Sequence, residues 1–156
     1  MPFVRSQSQP SQTLESFYQE LLVPDNTWET IQIGNAMLAL IERVKQQFVT
    51  TPLWGLTSHY HLLLQDQPYY NASDNWGVLV IGNQSGYRIE YCRPKITPLE
   101  ATVLVRGQAS TTTEALAYIA VALIESGGWQ STSEIEHQRA GVQLLASAWQ
   151  VAPTPL

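Results

Sequence analysis

The stretch Trp76-Gly-Val-Leu-Val-Ile-Gly-Asn-Gln-Ser-Gly-Tyr-Arg-Ile-Glu-Tyr-Cys-Arg-Pro94 decides the fold class. An apolar run, a Gly/Asn/Ser turn and an alternating run read as a β-hairpin, with strands near 76–82 and 87–93. The first strand is apolar on both faces, Trp76, Val78 and Val80 against Leu79 and Ile81, as in a central strand. The second sets Tyr87, Ile89 and Tyr91 against Arg88, Glu90 and Cys92. The segment Gly82–Gly86 is the turn; a phosphate-cradling glycine loop would lead into a helix instead.

Upstream, Ser58–Asp66 predicts another strand, with Tyr60, Leu62 and Leu64 on the core face and His59, His61, Leu63 and Gln65 opposite. The turn-forming residues of Gln67–Asn75 predict a loop. Before it, Asn26 and Glu29 resemble a capping box opening a long helix over 27–49, which Thr51-Pro52 ends. That helix is apolar on more than one stripe, so it is expected between the sheet and another helix, or in a dimer interface. Ser11 predicts a shorter helix over 12–22.

Downstream, 97–107 carries both a helix-start signal, Thr97-Pro98-Leu99-Glu100, and a strand-forming run, Thr102–Val105. The balance favours a strand preceded by a turn. Thr111–Glu114 caps a helix that runs to Glu125 and stops at Gly127-Gly128. Ser131–Glu134 caps a last helix, 132–149.

The expected fold is α+β, an antiparallel three- or four-stranded meander packed against flanking helices in the order α-α-β-β-β-(β)-α-α. Residues 11–150 form a single domain, between a mobile N-terminal tail, 1–10, and a C-terminal tail, 151–156. The central order of helix, three strands and helix resembles the topology of a double-stranded-RNA-binding domain. Thr111, Thr112 and Thr113 stand where such domains carry lysines, so RNA binding is not carried over.

Charge excludes several functions. The chain carries 8 Lys+Arg against 13 Asp+Glu, a net −5, and its basic residues form no cluster. That argues against nucleic acid and against an anionic membrane surface. The longest apolar run, Ala115–Ile124, is about half of the ~20 residues a membrane span needs. A lone cysteine and an N-terminus without an apolar stretch predict a cytoplasmic protein. Charged residues make up only 13% of the chain, a surface with weak self-repulsion that suits a bound partner or a homodimer.

Four constellations could carry chemistry. His59 and His61, two apart on one strand, could share a metal, but a third ligand is needed, and Asp66, Glu90, Cys92 and His137 all stand at unrecognised spacings. No metal and no cofactor is therefore predicted. The polar face His59, His61, Arg88, Glu90 and Cys92, with Arg93 and Arg106 nearby, could hold a small anion or pair a carboxylate with a histidine. Its plainer reading is a solvated sheet face with cross-strand ion pairs. Arg93 beside Cys92 could make a thiolate, though a strand cysteine ordinarily behaves as a small hydrophobe. Among the five tryptophans, Trp54 and Trp129 sit at element junctions where a partner could touch them.

No P-loop, dinucleotide, nucleophile-elbow, zinc-protease or paired-cysteine motif occurs. The expected function is a non-enzymatic protein-binding or accessory protein: an assembly factor, chaperone, regulator or immunity-type protein. The alternative is a small enzyme or ligand binder using the His59/His61/Arg88/Glu90/Cys92 face.

Overall fold

The computed structural model describes residues 3–70, 77–95, 97–100, 102–140 and 149–153. The chain is α+β, as expected, but its sheet is larger than a short meander. Seven strands lie side by side in sequence order: β1 (Phe3–Arg5), β2 (Leu53–Ser58), β3 (His61–Gln65), β4 (Val78–Asn83), β5 (Gly86–Cys92), β6 (Val103–Ala109) and β7 (Trp149–Pro153). Strand β1 runs parallel to β2, and every other neighbouring pair is antiparallel. The topology thus departs from the three-stranded RNA-binding arrangement.

The central hairpin forms as read, from β4 and β5. Its two-residue turn is closed by Asn83, whose side-chain oxygen accepts from the Ser85 amide at 2.8 Å. Gly86 follows with φ +128°, and a Cβ there would lie 2.1 Å from the Ala109 carbonyl oxygen. Trp76, expected in the first strand, lies outside the described residues. The ambiguous segment is a strand, β6, preceded by a turn.

Four expectations are corrected. The tail 1–10 instead contributes β1, with Phe3 1% exposed in the core, and Gln9 is clamped to Thr57 through both its amide groups. Residues 151–153 belong to β7 rather than a tail, and β7 begins at Trp149. It pairs with β6, and its Pro153 is tolerable because β7 is an edge strand. The expected last helix, 132–149, therefore does not reach Trp149; it is seen over Ser133–Arg139, and residues 141–148 lie outside the described residues. Finally, the strand expected over 58–66 is β3 alone, His61–Gln65, with Ser58 ending β2. The chain reverses at His59-Tyr60, pairing Ser58 with His61 and adding β2.

Among the described residues four helices accompany the sheet: α1 (Leu14–Gln19), α2 (Trp28–Gln47), α3 (Thr112–Glu125) and α4 (Ser133–Arg139), with a 3-10 turn at Glu20–Leu22. Hydroxyls of Thr13, Thr27, Thr111 and Thr132 cap their first turns. Asn26 does not cap α2. Its amide instead donates to the Glu20 and Leu21 carbonyls that end the 3-10 turn. Helix α2 packs between α1 and α3 on the sheet, burying Met37, Leu40, Ile41 and Val44. At Gly55 of β2 a Cβ would come within 2.8 Å of a Leu14 methyl and 3.0 Å of a Leu62 methyl, so only a bare backbone lets α1 descend this far. Among the described residues no helix is long and apolar enough to cross a membrane.

Two consequences are measurable. Gly86→Ala must either strain φ or move β6, and should cost roughly 1–3 kcal/mol in denaturant unfolding; a loss below a few tenths would contradict the hairpin geometry. Glu134 accepts from the Thr50 amide at 2.8 Å, the Thr51 amide at 3.1 Å and the Thr51 hydroxyl at 2.9 Å. Burial pushes its pKa up, but these bonds outweigh it and hold the carboxyl below its ordinary 4.5. Its stabilisation is therefore present above that value and lost as pH falls through the folded pKa. The stability gap between the wild type and Glu134→Gln should be open at neutral pH and close under acid.

Candidate functional site

Strand alternation sorts the sheet into two faces. Leu53, Leu62, Leu64, Val78, Val80, Tyr87, Ile89, Tyr91 and Val105 point into the helix layer and are all 4% exposed or less. The described helices all pack on that side: Tyr87 donates from its hydroxyl to the Ala36 carbonyl at 2.7 Å, and Tyr18 donates to the Tyr60 carbonyl at 3.2 Å. The opposite, outer face carries Trp54, Leu56, Leu63, Leu79, Ile81, Leu104 and the polar residues of β5 and β6, half-buried or exposed.

Register joins these into one row across five strands. Leu56 faces Leu63, Leu63 faces Leu79, Leu79 faces Glu90, and Glu90 faces Arg106. The row is apolar over β2–β4 and ionic over β5–β6. Glu90 Oε1 forms ion pairs with Arg88 Nε at 2.9 Å and with Arg106 Nε at 3.6 Å. The Glu90 side chain is 13% exposed against 45% and 41% for the two arginines, so its carboxylate lies beneath two guanidinium groups. The trio carries one surplus positive charge. Arg106 Nε is shielded from solvent and has no hydrogen-bond acceptor, because 3.6 Å from Glu90 is an ion-pair distance only.

Of the predicted polar face, His61, Arg88, Glu90, Cys92 and Arg106 share one side of the sheet, and His59 and Arg93 do not. His59 occupies the β2–β3 turn with φ +53°, and Tyr60 beside it is exposed rather than in the core. His61 sits on β3 while Glu90 sits on β5, with β4 between them, a separation of about 10 Å. No histidine therefore pairs with Glu90 as an acid–base couple. Among the described residues, no three His, Cys, Asp or Glu side chains gather as a metal site.

Arg93 falls on the helix side, where its Nη2 lies 3.8 Å from Glu125 Oε2. The same carboxylate oxygen accepts a short hydrogen bond from Tyr91, whose phenol burial and Glu125 push well above its ordinary range. Cys92 is thus left without its expected activator. Burial, and then the charge of Glu90, push its thiol up from 9.0.

The two tryptophans also part. Trp54 stands half-buried on the outer face of β2, opposite Gln65. Trp129 is 7% exposed and donates its indole N–H to the Pro52 carbonyl at 2.8 Å, so it is a buried wedge and not a partner contact. Among the described residues, an indole that does stand free is Trp28, 63% exposed at the first position of α2. Sequence reasoning missed it because α2 was started from Asn26, which placed Trp28 inside the helix. The apolar half of the outer face was also passed over, although β4 had signalled it through Leu79 and Ile81.

No family model, curated protein or solved structure matches the chain.

The thiol of Cys92 should alkylate slowly at neutral pH. Glu90→Gln removes the neighbouring charge but leaves the burial, so the midpoint of the rate-against-pH curve should shift downward and remain above that of a free thiol. An unchanged midpoint would show that Glu90 exerts no field on the sulfur.

Proposed function

We propose that the chain is a non-enzymatic protein-binding or accessory module, and that the outer face of its sheet is the surface that meets the partner. The observation that carries this reading is the Leu56–Leu63–Leu79–Glu90–Arg106 row. Apolar side chains are aligned across three strands, with Trp54 and Ile81 beside them, and the row ends in a cationic pair around a shielded carboxylate. Apolar area supplies affinity, and a charged rim supplies register and rejects wrong partners. The surplus positive charge of the trio calls for a partner with apolar side chains next to a carboxylate. Such a surface suits an assembly factor, chaperone, regulator or immunity-type protein, and the lone cysteine suits a reducing compartment such as the cytoplasm.

The enzyme alternative draws no support from the geometry. His61 and Glu90 are held apart by β4, and Cys92 is half-buried next to a negative charge. The hollow of about 590 Å³ at the hairpin tip is lined by Glu29, Ile33, Asn83, Gln84, Ser85 and Gln108, none of them a candidate acid, base or nucleophile of that face.

Affinity capture from the source cells tests the reading with matched variants. Leu63→Asp and Arg106→Glu, each checked for folding by its thermal transition, should lose a partner that the wild type and Leu99→Ser both retain. Capture indifferent to both outer-face variants would refute the assignment. Light scattering decides whether the occupant is a second copy: a homodimer should dissociate in Leu63→Asp, and a wild type monomeric at high concentration removes that option.

A further inference from the structure

On the helix side of the sheet, at the edge formed by β1, lies a surface hollow of about 340 Å³. That is within the range of small-ligand sites. Its walls mix apolar side chains, among them Phe3 and Leu14, with Arg5, Glu15 and Lys45. Lys45 is already ion-paired to Glu15. Arg5 pairs with no carboxylate among the described residues. Its Nε donates to the Gln9 carbonyl at 3.3 Å, and its guanidinium carbon lies 5.5 Å from the centre of the Phe17 ring. Its Nη1 is shielded from solvent and has no hydrogen-bond acceptor. Two cations and one carboxylate therefore border the hollow, a surplus of one positive charge in a chain of net −5.

A donor withdrawn from water and left unmatched is costly. A charged donor costs more than a neutral one. The guanidinium is held by packing rather than by a counter-ion: Phe17 covers it and the Gln9 carbonyl orients its fork. Burial accordingly draws Arg5 below its ordinary pKa, against a smaller opposing effect of Tyr18, while it remains a cation. A ligand carboxylate would supply the missing acceptors, and the apolar walls would cover an attached hydrocarbon. From these observations we propose that the hollow between β1, α1 and the end of α2 is a binding site for a small amphipathic carboxylate, with Arg5 as its anion contact. The carboxylate belongs either to a free organic acid or to the C-terminus of a peptide; the chemistry recognised is the same. This site lies on the opposite side of the sheet from the outer face.

Octanoate and octanamide titrated into the full chain test the charge requirement without any substitution. Octanoate should raise the melting temperature and saturate in the millimolar range or tighter, and octanamide should bind roughly tenfold more weakly. Amide NMR shifts on octanoate should concentrate at Phe3–Gln7, Leu14 and Lys45. Arg5→Gln should weaken octanoate about tenfold. If that variant does not fold, the acid–amide pair on the wild type decides alone. A peptide with a free, apolar C-terminal residue, set against its amidated twin, separates the sources. Preference for octanoate assigns the site to a free acid, and preference for the free peptide assigns it to a chain terminus. Equal binding of acid and amide, shifts centred on Arg88 and Arg106, or no saturable binding of either acid would overturn the proposal.

Discussion

Helix α3 sets the constraint on which the rest of the structure depends. Ala115, Leu116, Ala117, Tyr118, Ile119 and Ala120 are buried in unbroken succession. A helix has no polar side to turn to water when six consecutive residues are apolar, so it must be covered all round. The sheet covers one side through β4, β5 and β6, and α2 and α4 flank the others. The alanines let those neighbours approach closely, and Leu116, Tyr118, Ile119 and Leu123 fill what remains. Full burial of each large apolar side chain is worth about 1.5–3 kcal/mol, so a few such residues rival the net stability of a domain. The same demand draws the described helices to one side of the sheet.

The outer face is what that asymmetry leaves. An antiparallel sheet can keep one side wet, and then it ordinarily alternates cleanly between apolar and polar. Here β5 obeys the rule and β2, β3 and β4 break it, with Trp54, Leu56, Leu63, Leu79 and Ile81 on the outer side. Stability alone does not require those leucines and isoleucines. The ion trio beside them adds little to stability either: arginines 45% and 41% exposed are well screened, and such pairs are worth at most ~1 kcal/mol. Specificity is the better account of both. Glu90 keeps two arginines within ion-pair distance while their outer atoms stay in solvent, an arrangement that would lower the ordering cost of the docking proposed above.

The parts of this fold that could be read from the sequence are those whose causes are local. The Gly82–Gly86 turn, the alternation of β5 and the Thr111 cap each rest on residues within a few positions of one another, and formed as read; the last helix is capped by Thr132, one residue after the expected Ser131. The parts that could not be read depend on distant partners. Strand β1 exists because Phe3 meets Leu53, and β7 because Trp149–Pro153 pairs with β6. Three to five residues with no strong alternation carry no sign of either. Strand β2 was hidden by Gly55, a poor strand former that is needed where Leu14 presses on the sheet. The reversal at His59-Tyr60 lacks the usual glycine or asparagine, so the strand is read as starting at Ser58 instead of His61, and His59 is assigned a face it does not share. The candidate site inherits these limits. Its β5 half was legible, Arg106 joined it through cross-strand register, and the separation of His61 from Glu90 became visible only with β4 between them.

The distribution of positive charge gives these surfaces their chemical meaning. Only eight Lys and Arg residues are available in the whole chain. Arg93 is spent on Glu125, Arg139 on Glu136 and Lys45 on Glu15, one cation for each carboxylate. Cations exceed carboxylates on the outer face, where Arg88 and Arg106 share Glu90, and in the β1 hollow, where Arg5 is left over; Arg43 and Lys95 also enter no ion pair among the described residues. In a protein of net −5 the long-range field repels acidic molecules. That repulsion is screened beyond about 8 Å at physiological salt. Local excesses of positive charge next to apolar side chains therefore act only at contact. On the readings proposed above, they would favour ligands that bring a carboxylate together with apolar surface over purely acidic ones.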